Sequence, residues 1–151
     1  MKKTSLIFIF ILGVFFKTKA TDLETIRKNY ELAVNDKEIC KHMINELINS
    51  TESNIHLAYL GAFQTIWANH IINPISKLNT FNKGKKNIEF AIKNAPKNVE
   101  IRFVRLSIQK NSPNFLGYND YINEDNNFIK KNKNTITSTT LKKMIQLILN
   151  Q

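Results

Sequence analysis

The chain has 151 residues and a formal net charge of +10, with 22 lysines and arginines against 12 acids. That length suits one domain with its own core and leaves too little for a second. Cys40 is the single cysteine, which excludes an intramolecular disulfide, so burial alone must hold the fold.

Residues 1–20 stand apart from the rest. Lys2 and Lys3 precede an apolar run from Leu6 to Phe16 interrupted only by Gly13, and Thr18-Lys19-Ala20 follow. This is the layout of a secretory signal peptide cleaved after Ala20. Roughly 11 apolar residues fall short of the ~20 that a membrane-spanning helix needs. The expectation is an exported protein, periplasmic or secreted, whose mature chain 21–151 is one all-helical domain with no transmembrane segment. Residues 1–20 hold four lysines and no acid, so residues 21–151 retain +6. An exported basic chain with scattered lysines is expected to make weak contact with acidic membrane surfaces or polysaccharide, not with nucleic acid.

From Asp22 onward apolar residues recur three and four apart, with few glycines and prolines between them, which predicts an all-α fold of about seven helices. The first spans about 22–34, with Leu23, Ile26, Tyr30 and Ala33 on one face and Asp22 as N-cap. Asp36 caps a second, whose inward stripe is Ile39, Met43, Leu47 and Ile48. The one-residue join at Asn35 makes the two an antiparallel hairpin. The third, about 54–72, carries Leu57, Leu60, Gly61, Phe63, Ile66 and Trp67 and ends where Pro74 disfavours helical geometry at Asn73.

A short irregular or helical piece at 74–80 precedes a fourth helix at about 82–95, which buries Ile88, Ala91 and Ile92 and is stopped by Pro96. The fifth, with Ile101, Phe103, Val104, Leu106 and Ile108, is the most apolar. It is expected at the centre, packed on the third and fourth, and ends at Ser112-Pro113. A polar, peripheral sixth helix at about 119–131 presents Ile122, Phe128 and Ile129. Ser138 or Thr139 caps a last helix whose stripe of Leu141, Met144, Ile145, Ile148 and Leu149 closes the array.

Leu57, Leu60, Gly61 and Gln64 on the third helix, followed by Gly84, Ile88, Ala91 and Pro96 on the fourth, resemble a tetratricopeptide repeat. The pattern amounts to a close crossing: Gly61 and Ala91 let two antiparallel backbones approach while Leu57, Leu60 and Ile88 fill the space around them. Between Gly61 and Gly84 lie about eleven residues more than the family's ~34-residue period allows. Arg102 and Arg105 stand where the next hairpin would carry apolar residues. The resemblance implies a lengthened, degenerate repeat, with antiparallel helical hairpins stacked in a short array. Such scaffolds dock proteins or peptides and rarely carry chemistry themselves.

Cys40, His42, His56 and His70 are the candidate metal ligands, and their spacing argues against a site. Cys40 and His42 point to different helix faces, and the fourteen residues from His56 to His70 span about 21 Å of helix. No metal or other cofactor is expected. Cys40 with a nearby histidine would be the nucleophile of a small exported hydrolase, the alternative to an interaction module. That role needs a thiol of lowered pKa, whereas a lone cysteine on an amphipathic helix is ordinarily packing. No phosphate loop, serine elbow or paired-carboxylate signature occurs.

The candidate contacts for a protein or peptide partner are Arg102 and Arg105, two long cations in the most apolar helix, with Trp67 and Tyr59 on the third. Either the arginines pair with Glu100, Glu124 or Asp125 inside the fold, the favoured reading, or their forked guanidiniums receive a carboxylate or phosphate from a partner. The clusters Lys83, Lys85, Lys86 and Lys130, Lys131, Lys133 suit acidic sugar, lipid headgroups or an acidic partner, against ordinary solvated surface.

Overall fold

The computed structural model describes residues 21–49 and 53–151; the expected signal peptide lies outside the described residues. Among these are seven α-helices and no strand, an all-α fold: α1 Leu23–Leu32, α2 Lys37–Ile48, α3 Asn54–Asn69, α4 Pro74–Asn94, α5 Val99–Asn111, α6 Ile122–Asn132 and α7 Thr139–Leu149. Short 3-10 turns lie at Asn114–Leu116 and Lys133–Thr135. Among the described residues no helix is long and apolar enough to cross a membrane.

Polar caps set the starts of most helices. Asp22, Asp36, Ser53, Asn73, Asn98 and Ser138 each accept a backbone N–H from the first turn that follows, a contact of about 1 kcal/mol per helix. Pro74 occupies the first position of α4, where a missing N–H costs nothing and the fixed φ already suits a helix. The separate piece expected at 74–80 is therefore the first two turns of one 21-residue helix. Phe81, which joins the two parts, is buried edge-on against Tyr118. The third helix stops at Asn69, and α6 begins at Ile122 because Gly117, at φ 57, first turns the chain. Ile48 lies half exposed outside the α2 stripe, and Cys40 takes the inward place.

Side-chain contacts fix the helix directions. Tyr30 meets Tyr59 and Phe63, and the Ala33 carbonyl meets His70, so α1 and α3 run parallel. Arg27 with Glu100 and Tyr30 with Ser107 make α5 parallel to α1. Asn54 with Asn94 and Gln64 with Asn87 make α4 antiparallel to α3. Arg105 over Tyr121 and Arg102 over Phe128 do the same for α6 against α5. The turn closed by the Asp36 N–H on the Leu32 carbonyl sends α2 back along α1.

At the α3–α4 crossing Gly61 packs on Gly84, closer than a Gly61–Ala91 approach would require. A Cβ on Gly61 would sit 2.6 Å from the Gly84 carbonyl oxygen, and one on Gly84 would run into the Gly61 carbonyl. The residues in excess of a regular repeat are helical: α3 continues to Asn69 and α4 starts at Pro74. Every residue from Ala58 to Ile66 is buried, so α3 is at the centre as much as α5. It is also the more apolar of the two, since it carries no Lys, Arg, Asp or Glu, whereas α5, expected to be the most apolar helix, carries Glu100, Arg102, Arg105 and Lys110. The fifth helix does pack on α3 and α4, and also on α6 and α7.

Candidate functional site

The polar side chains of α5 form two main clusters, one with α1 and α3 and one with α4 and α6. Towards α1, buried Glu100 accepts from Arg27 through both carboxylate oxygens, at 2.7 Å each, and from the Tyr59 hydroxyl at 2.9 Å. Tyr59 has no exposed surface, and its phenol is pushed up by burial and by the Glu100 charge. Arg27 also bonds Glu24. The hydroxyls of Ser138 and Thr140, with Arg27, hold the Glu24 carboxyl down to about 2, which ties α1 to the start of α7.

Towards α6, Arg105 donates from Nε and Nη2 to the two oxygens of Asp125 at 2.7 and 2.9 Å, and from Nη1 to Glu89 at 3.1 Å. Tyr118 donates to the other Glu89 oxygen at 2.7 Å; burial first, then the Glu89 charge, raise its phenol. Arg102 bonds Asp125, Glu124 and the Pro96 carbonyl. The guanidiniums lie 4.1 Å from the Tyr121 ring centre and 4.6 Å from that of Phe128. Fork geometry and the burial of Arg105 and Asp125 make that pair the buried centre of the network, with Glu89 and Glu124 at its exposed rim.

Both arginines thus face carboxylates of their own chain. Arg102 has the partners expected of it, Arg105 adds Glu89, and Glu100 goes to Arg27 instead. The four candidate contact residues do not line one groove. Tyr59 and Arg105 are buried, while Trp67 is half exposed and tilts against His70 at the far end of α3. Glu89 and Arg27 come from other helices, and no local spacing announces their roles.

Cys40 is buried, with Sγ 3.3 Å from the Phe63 carbonyl, and burial pushes the thiol up to about 12. The histidines that a nucleophilic reading needs are engaged elsewhere: His56 with Ser53 and the Thr21 carbonyl, His70 with the Ala33 carbonyl. A protonated thiol of this kind is a packing group at neutral pH. Among the described residues no three His, Cys, Asp or Glu side chains cluster as a metal site would require.

A groove of about 810 Å³ lies between the end of α6, the following 3-10 turn and α7. Lys130, Lys133 and Lys142 rim it, Ile136, Ile145 and Leu149 supply its apolar surface, and Asn134, Gln146 and Asn150 contribute amides. No acid lines it. The basic residues owe their place partly to the fold: Lys130 and Lys131 occupy the last turn of α6, where the negative end of the helix dipole favours cations. Lys142 to Asn150 spans about 12 Å of helix, the length of about four extended residues. A second cleft of about 510 Å³ shares Ile136 and leads to Arg27 and Glu100.

Compared with protein-family models, curated proteins and solved structures, the chain has no significant match. The groove must therefore be read from its own chemistry. The Lys130–Lys133 cluster is visible in the sequence; its pairing with Lys142 across an apolar floor is not. Ile145 and Leu149 read as core positions, and Ile136 as a loop residue without a role.

Proposed function

We propose that the chain is an exported helical interaction module that docks an acidic, partly apolar segment of a partner protein in the groove beside α7. The observation that carries this reading is the groove itself: three lysines and three aliphatic side chains with no acid among them. A short peptide with carboxylates flanking one or two apolar residues meets both components. The rim lysines speed encounter and select charge, and the apolar floor contributes to holding the complex. The amides of Asn134, Gln146 and Asn150 can bond the extended backbone of such a peptide.

The Gly61–Gly84 crossing and the alternating helix directions support the tetratricopeptide-like reading, in which a stack of hairpins is a rigid scaffold for docking. The buried ion pairs around α5 belong to that scaffold. Export rests on the composition of residues 1–20.

Affinity capture from envelope and culture fractions of the host, with mild crosslinking and peptide identification, tests the proposal. The expected result is one dominant partner, joined through an acidic segment and lost on Lys133→Glu with Lys142→Glu. Capture that is unchanged by that double variant would refute the groove as the docking site.

A further inference from the structure

We infer that the outer face of α4, on a different side chain set from the groove, is a contact surface for an anionic lipid bilayer. Ile75, Leu78, Asn82, Lys86, Phe90 and Lys93 recur three and four apart along the helix and are all exposed, so they share one face. The helix is 21 residues, about 31 Å long. Its first two turns are aliphatic: Ile75 is 73% and Leu78 47% exposed, and Ile72, at the tip of the preceding turn, is 97% exposed. Phe90 is 56% exposed further along.

Charge complementarity identifies the occupant. The helix carries Lys77, Lys83, Lys85, Lys86 and Lys93 against one acid, Glu89. Both Glu89 oxygens are engaged within the fold, one by Tyr118 and one by Arg105, so the acid is only partly exposed. Lys85 lies over the Tyr118 ring; the other four lysines are exposed, Lys77 away from this face and Lys83, Lys86 and Lys93 on or beside it. A protein pocket would need a concave partner 31 Å long to use the whole face. A fluid anionic bilayer accommodates it directly, with lysines among the headgroups and Ile72, Ile75, Leu78 and Phe90 at the acyl boundary.

The test is sedimentation of the full chain with vesicles of phosphatidylglycerol and phosphatidylcholine in equal parts, beside vesicles of phosphatidylcholine alone. Photoactivatable acyl chains locate the contact, so that insertion through residues 1–20 is told apart from contact through α4. Crosslinks at residues 72–94 that require phosphatidylglycerol are expected. The triple variant Lys83→Gln, Lys86→Gln, Lys93→Gln should lower partitioning into the anionic vesicles by roughly 100-fold, at about fivefold per lysine, with an unchanged thermal melt. Equal binding to uncharged vesicles, crosslinks confined to residues 1–20, or full binding by the triple variant would each overturn the inference. So would a protein bound through this face while vesicles are left free.

Discussion

Gly61→Ala puts the helical crossing to the test. The new methyl would lie 2.6 Å from the Gly84 carbonyl oxygen, 2.8 Å from Ile88 Cγ1 and 3.0 Å from Ile88 N. Two of those atoms are backbone, so no rotamer change relieves the clash, and α3 and α4 must separate by on the order of 1 Å to restore ordinary contact. Overpacking of this kind costs about 1–3 kcal/mol, and a rigid backbone obstacle places it near the upper value. The substitution also gains about 1 kcal/mol of helix propensity. The net expectation is about 2 kcal/mol of destabilisation, or roughly 6–10 °C in Tm for a domain of this size. Thermal unfolding followed by circular dichroism measures it, with Gly117→Ala as the comparison. There nothing lies within 4 Å and φ is +57, so only the left-handed backbone is penalised, by about 1 kcal/mol. A Gly61→Ala protein as stable as the parent, or more so, would refute the crossing.

Asp125→Ala leaves Arg105 buried without its bidentate partner and should cost about 3–5 kcal/mol in chemical denaturation; a loss below 1 kcal/mol would show that the pair is dispensable. Cys40 should resist a thiol reagent such as Ellman's in the fold and react only on unfolding. Because its folded pKa is raised from 9.0 to about 12, the thiol's contribution to stability is full below pH 9 and is lost as pH rises towards 12, a loss that Cys40→Ala should lack. Glu24 is lowered from 4.5 to about 2 by Ser138 and Thr140 with Arg27, and Glu124 is lowered by Arg102. The Glu24 contribution is therefore full above about pH 4.5 and is lost as pH falls towards 2, and that of Glu124 is lost in the same direction. Urea midpoints across that window should drop less steeply for Glu24→Gln.

Local chemistry made much of the fold legible. Asp22, Asp36 and Ser138 cap the helices that their spacing predicts, and the periodic stripes of α1, α5 and α7 are buried apart from Leu23 and Leu149, which are partly exposed. Errors arose where local and tertiary signals diverge. Pro74 reads equally as the end of one helix and the start of the next, and only the packing of Phe81 on Tyr118 shows that α4 runs unbroken. Gly84 was visible as a small residue, but its contact with Gly61 depends on the crossing angle, which a sequence does not carry. The network around α5 was half legible. Arg102 and Arg105 demanded carboxylates, and Asp125 and Glu124 were within reach of reading, whereas Glu89 and Arg27 arrive from helices remote in sequence. The groove was least legible, because it is made by the approach of a 3-10 turn to α7 and not by any periodic pattern.

The most direct measurement of the docking claim is a photoreactive amino acid placed at Gln146, inside the groove, in the living host, with exposed Lys41 of α2 as the reference position. A single adduct formed from position 146 and absent from position 41, joined to an acidic segment of one protein, is the predicted result. Adducts of equal yield from both positions, or none from 146, would contradict it.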